Sequence, residues 1–143
     1  MLIDKLLMFS EAQAITAAAA STNSLDMGPA RDIGVGEDLY VFINVDVAMT
    51  DGGSDSTLTV DLYGDSTTSF TPDGKQTLFT IPAVSAAGTQ YFAKISPDFA
   101  AQYRYLELYY TPNTGNLTTG SFTAGIINGI QKAKMYAKGY VIN

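Results

Sequence analysis

A chain of 143 residues with neither cysteine nor histidine is the size of one domain, and it lacks disulfides, thiolate sites and every Ser-His-Asp or Cys-His arrangement. Charged residues make up 15% of it, against about 25% in an average soluble protein, and the net charge is −6. Lys132, Lys134 and Lys138 hold three of the eight basic residues, so the remaining body is still more acidic and has no basic stripe to neutralise phosphate. Nucleic-acid binding and catalysis are therefore not expected, no cofactor is implied, and the sparse charge suits a surface that is covered in use.

The chain opens with Leu2, Ile3, Leu6 and Leu7 at helical spacing, and residues 12–20 read equally well as helix or extended chain. Asp4 stands where a signal peptide needs basic charge, while Glu11 and Gln13 interrupt the apolar stretch, so a cleaved signal is not expected. No run approaches the ~20 apolar residues of a membrane-spanning helix. Residues 1–22 are accordingly read as an N-terminal arm. Its apolar side chains Leu2, Ile3, Leu6, Leu7, Met8 and Phe9 are the first candidates for docking on another protein, as against folding back on this domain's own core.

After a short strand-like segment at residues 24–27, Leu39, Val41, Ile43, Val45 and Val47 alternate with Tyr40, Phe42, Asn44 and Asp46, the period of two of a strand with one buried face. The turn-forming residues 51–55 follow, and Leu58, Val60 and Leu62 resume the alternation, which reads as a hairpin. Residues 64–74 form a loop closed by Pro72-Asp73-Gly74. Strands at 76–81 and 90–95 precede a turn at Pro97-Asp98. The aromatic strand 103–111 ends at the loop 112–116, and a last strand spans 121–131. This gives seven or eight strands with turn signals roughly every 8–12 residues, the spacing of an all-β sandwich of two antiparallel sheets. Periodicity leaves jelly-roll and immunoglobulin-like topologies both open. The predicted organisation is an arm (1–22), a sandwich (23–131) and a C-terminal extension (132–143). In the extension, Lys132, Lys134, Met135, Tyr136, Lys138 and Tyr140 alternate basic with apolar chemistry and are candidates for a partner contact.

Other side chains invite sharper readings. Tyr103, Tyr105, Tyr109 and Tyr110 are explained by strand packing, and also by a carbohydrate site, since sugars stack on tyrosine. Asp51, Asp55 and Asp65 suggest calcium, but their spacing fits neither an EF-hand loop nor a β-roll repeat, and a solvated turn explains them better. Glu37 and Asp38 cannot form a catalytic carboxylate pair on a strand, because adjacent side chains point to opposite faces. No metal site is expected.

The opening residues 2–14 and the Ala-rich stretch up to Ser21-Thr22, with Asp26, Ala30-Arg31-Asp32-Ile33-Gly34, Gly36-Glu37, Leu58-Thr59-Val60, Tyr105-Leu106, Leu108, Tyr110 and Phe122-Thr123-Ala124-Gly125-Ile126, resemble a family of small phage capsid cement (decoration) proteins, typified by that of a Bordetella phage. The resemblance touches most of the chain and is strongest over the first forty residues. It implies a jelly roll on the outer surface of the virion head, a homo-oligomer (dimer or trimer), and the major capsid protein as partner, with no membrane involved. The longer loop at 64–74 and the lysine-bearing tail depart from that pattern, and no binding residue transfers by position. The competing expectation is a carbohydrate-binding jelly-roll module on a phage or cell surface, using the strand 103–110.

Overall fold

A computed structural model describes residues 4–28 and 38–128. After a single 3-10 turn at Lys5–Leu7, the strands are β1 (Met8–Ala14), β2 (Ala19–Ala20), β3 (Leu25–Asp26), β4 (Leu39–Thr50), β5 (Leu58–Asp65), β6 (Gly74–Ile81), β7 (Gln90–Lys94), β8 (Tyr105–Pro112) and β9 (Thr119–Asn128). A short helix, α1 (Pro97–Gln102), precedes β8. The first sheet has the order β1-β9-β4-β7. The second has β2-β8-β5-β6, with β3 also pairing to β8, and all the pairings are antiparallel. Since β2 and β3 lie along the same edge of β8, they act as one interrupted strand, and the result is four strands over four.

The two-sheet sandwich expected from the periodicity is thus what the chain forms, and the strand order separates the two topologies that periodicity left open. Apart from β5 and β6, no described strands adjacent in the chain are neighbours in a sheet; with β2 and β3 taken as one strand, the chain crosses from sheet to sheet between all the others. This is the pair of Greek keys of a jelly roll. One local expectation is corrected: β4 and β5 are not a hairpin but lie in opposite sheets. The turn between them is locked for that crossing by the Asp51 carboxylate, whose Oδ2 accepts from the Ser56 backbone N–H at 2.8 Å, and by the Ser56 hydroxyl, which donates to the Gly115 carbonyl at 3.0 Å.

Alternation dictates the core. Val41, Ile43 and Val45 of β4 and Phe122, Ala124 and Ile126 of β9 face Leu58, Val60 and Leu62 of β5 and Leu106, Leu108 and Tyr110 of β8, all buried. Each large aliphatic side chain so buried contributes about 1.5–3 kcal/mol.

The arm boundary at residue 22 is also corrected. Met8–Ala14 is an edge strand of the first sheet, and Phe9, expected to dock on another protein, is fully buried in this chain's own core. The strand escaped detection because two register shifts against β9, one on each side of Ser10, break its alternation: Met8, Phe9 and Ser10 are buried in succession. Ala12, within the irregular stretch, takes φ +45°, a conformation that interrupts a two-residue period.

At Pro97-Asp98 the expected turn continues into α1, with proline in the first turn where its missing N–H costs nothing. The helix sets Phe99 against Tyr103 (ring centroids 4.9 Å apart), and Tyr103 lies over Gly64 and Gly74, which pair across β5 and β6. A methyl group at either glycine would collide with the Tyr103 ring, so these positions need glycine for space.

Candidate functional site

Two regions stand out, one on the outer side of each sheet: a buried apolar cluster with an exposed corner beside it, and an open groove.

On the first sheet, the residues of β4 that alternate outward include Tyr40 and Phe42, both apolar-bodied where a solvated sheet face would carry polar side chains. Phe42 pairs with Phe92 of β7 on one side and Gly125 of β9 on the other, and Tyr40 pairs with Ile127. Met8 from β1 completes a second hydrophobic cluster with Phe42 and Ile127, flanked by the half-buried Tyr40 and Phe92. Met8 and Phe42 close over Gly125, whose missing side chain leaves room for them.

Beside this cluster lies the N-terminal corner. The Asp4 carboxylate accepts from the Leu6 N–H at 2.9 Å and the Leu7 N–H bonds to the Asp4 carbonyl at 3.0 Å, closing the 3-10 turn. That turn points Leu7 at the core and leaves Leu6 83% exposed. Lys5, Met8, Glu11, Ala12 and Thr123 line a shallow concavity of about 340 Å³ at the same corner. Of the expected arm residues, then, Leu6 is presented to solvent, Leu7 is half-buried, Met8 and Phe9 are internal, and Leu2 and Ile3 lie outside the described residues. All six candidates in the C-terminal extension, Lys132, Lys134, Met135, Tyr136, Lys138 and Tyr140, lie outside them too.

On the second sheet, the tyrosines of β8 and Tyr103 just before it point to different places. Tyr110 points inward and is fully buried, Tyr103 caps the glycine pair, and Tyr105 carries the Arg104 guanidinium 5.0 Å from its ring centroid. Tyr109 faces outward and stacks on Tyr63 of β5, ring centroids 5.2 Å apart at 18°. With Phe70, Pro72, Asp73, Gly74, Lys75 and Glu107 these two rings line an open groove of about 670 Å³. Phe70 is held at φ +28°, a backbone setting that non-glycine residues rarely occupy.

Charge in the groove is unevenly committed. Lys75 meets Asp61 at 3.0 Å, and the same buried carboxylate accepts from the Thr77 hydroxyl at 2.7 Å. That hydrogen bond and charge hold the Lys75 ammonium above its usual pKa. Asp73 Oδ2 accepts from the Ser66 hydroxyl at 2.8 Å. Glu107 has no hydrogen-bond or ion-pair partner among the described residues, and partial burial pushes its carboxyl above the ordinary carboxylate range. Sequence reading found Tyr109 but missed Tyr63, Phe70 and Glu107. Parity carried the signal: Tyr63 alternates against Leu58, Val60 and Leu62, as Glu107 and Tyr109 do against Leu106, Leu108 and Tyr110.

Asp51, Asp55 and Asp65 are not brought together, since Asp51 and Asp65 lie at opposite ends of β5; Asp65 Oδ1 instead accepts from the Thr67 N–H at 2.6 Å, a bond that lowers its pKa. Among the described residues no cluster of three acidic, cysteine or histidine side chains could hold a metal ion. Glu37 lies outside the described residues, and Asp38 pairs with Lys94 at 2.7 Å.

Strand order and side-chain placement together define the class: a jelly-roll β-sandwich with a second, buried apolar cluster on the outer side of one sheet and an open aromatic groove on the other. A family model described as Bbp16 matches residues 9–126, and the chain belongs to the Bbp16 family. Comparison with curated proteins gives no match.

Proposed function

We propose that this protein is a capsid cement subunit, seated on the outside of a phage head and bridging adjacent major capsid protein subunits, and that it works as a dimer or trimer. The family supports a phage origin, its name being of the Bordetella-phage type. The observation that carries the reading is Leu6, a leucine fixed in solvent by a capped 3-10 turn at the edge of an apolar sheet face. Burial of one such leucine contributes about 1.5–3 kcal/mol, too little for a stable complex alone. Repeated across the copies of an oligomer on a regular shell, each contact raises the effective concentration of the next.

In this reading the protein catalyses nothing. It stabilises the shell because each subunit must be stripped from more than one capsid subunit before the shell can open. Heating DNA-filled heads with and without bound protein tests this: the protein should raise the temperature at which DNA is released, and an unchanged release temperature at full occupancy contradicts the proposal.

The open Tyr63–Tyr109 stack favours one second reading, a carbohydrate-binding module, with the site moved from the strand 103–110 as a whole to the outward tyrosines. Retention of a glycan by the wild type and its loss in Tyr109→Ala, without any binding to heads, would select it.

A further inference from the structure

We infer that the groove of Tyr63, Phe70, Tyr109 and Glu107 is a self-association site that receives the lysine-bearing C-terminal segment, residues 132–140, of a second copy of this chain. The groove offers two chemistries at once: ring faces with room for a flat or flexible apolar group, and a half-buried carboxylate whose side chain has no partner among the described residues. With Asp73 bonded to Ser66 and Lys75 paired with Asp61, the Glu107 carboxylate beside the tyrosine rings attracts a further cation, because an ammonium gains both the carboxylate and the negative faces of the rings.

Among the described residues the basic side chains Lys5, Lys75, Lys94 and Arg104, Lys75 of the groove wall included, already sit in ion pairs with Glu11, Asp61, Asp38 and Asp26. The other basic residues are Arg31 and the three lysines of the C-terminal segment, and only the latter are clustered and interleaved with apolar side chains. The segment 132–140 supplies what is missing: Lys132, Lys134 and Lys138 interleaved with Met135, Tyr136 and Tyr140, side chains that pack favourably on aromatic rings. Described chain ends at Asn128, at the end of β9 in the first sheet, whereas the groove is on the outer face of the second. A segment from the same copy would have to pass from the first sheet round to the outer face of the second, a constraint that a second copy does not impose.

The inference adds a mode of self-association to the cement reading and is independent of shell binding, because it is tested on the free full-length protein. Sedimentation velocity would compare the wild type with Glu107→Lys, with the triple change Lys132→Glu, Lys134→Glu, Lys138→Glu, and with the two combined. Wild type should associate. Each charge reversal should weaken association at least about tenfold, equivalent to ~1.4 kcal/mol, and the combination should recover much of the loss. A synthetic peptide of residues 131–143, added to the triple variant, should shift the amide resonances of Tyr63, Glu107 and Tyr109, and less so in high salt. A monomeric wild type, association indifferent to either reversal, absence of recovery in the combination, or peptide shifts confined to other surfaces would each overturn the inference. Thermal unfolding of every variant checks that the sandwich is intact, and Glu107→Gln, which removes the charge and keeps the shape, should weaken association as well.

Discussion

The hydroxyls of Ser10 in β1 and Tyr110 in β8 meet at 2.9 Å inside the sandwich, joining the first sheet to the second through the core. Ser10 spends its only hydrogen on Gln13 Oε1 at 2.7 Å, so Tyr110 is the donor and Ser10 the acceptor. Burial drives the Tyr110 pKa upward, which keeps that proton in place. Gln13 carries the chain of bonds onward, accepting from the Thr22 N–H and donating to the Ala20 carbonyl at 2.8 Å. The N-terminal strand is therefore bonded to both sheets, which is why the sandwich begins at Met8.

Tyr110→Phe should cost about 1 kcal/mol, the net value of an ordinary hydrogen bond, because Ser10 keeps Gln13. Ser10→Ala should cost more, about 1–3 kcal/mol, since it strands a buried phenol without an acceptor. Urea unfolding of the two single variants and the double would show this as non-additive losses.

Phe9→Ala removes a fully buried ring and should destabilise the protein by about 3–5 kcal/mol. Leu6→Asp, three residues away, should leave the urea midpoint unchanged, because the side chain touches little but water. Equal losses in the two would mean that Leu6 belongs to the fold.

Arg104 donates through Nε and Nη2 to the two oxygens of Asp26, both at 2.8 Å, clamping β3 to β8. Those bonds, with the Gly28 N–H, hold the Asp26 carboxyl at a pKa of about 2. A carboxylate whose pKa is lower in the folded state stabilises fully above its unfolded value, and that contribution is lost as pH falls towards 2. Arg104→Ala should therefore lower stability near neutrality and flatten its decline between about pH 4 and 2. Unfolding followed by circular dichroism across that range measures it.

Glu107 has the opposite sign. Burial raises its pKa, so the folded protein holds this proton more tightly than the unfolded chain, and ionisation above the ordinary carboxylate range disfavours folding. With Lys132, Lys134 and Lys138 reversed to Glu, so that the chain is monomeric, Glu107→Gln should leave the melting temperature unchanged or raised at pH 7, and the difference from the parent should shrink at pH 4. A lower melting temperature at pH 7 in that background would mean that the carboxylate has a stabilising partner within its own sandwich.

The sequence is most readable where the backbone is regular. In β4, β5 and β8 one parity is apolar and buried, so Val41, Leu62 and Leu108 announce the core, and the sandwich follows. Strand partners were not legible: nothing local distinguishes a turn that reverses within one sheet from one that crosses to the other, and the hairpin read at 51–55 failed on that point. β1 was hidden by its own bulges, and α1 by its brevity. The groove escaped because it is assembled from β5, β6, β8 and the loop between 65 and 74, and only the register of Asp61 against Tyr109 and Tyr63 against Glu107 brings the rings into contact. Leu6 was legible as an apolar terminal residue, but its exposure depends on the Asp4 cap.

Leu6 is the proposed anchor for the shell. Co-sedimentation of wild type and Leu6→Asp with empty expanded phage heads tests it most directly: wild type should pellet with the heads, while Leu6→Asp, equally stable in solution, should bind at least about tenfold more weakly. Equal pelleting of the two proteins, or no pelleting of either, would contradict it.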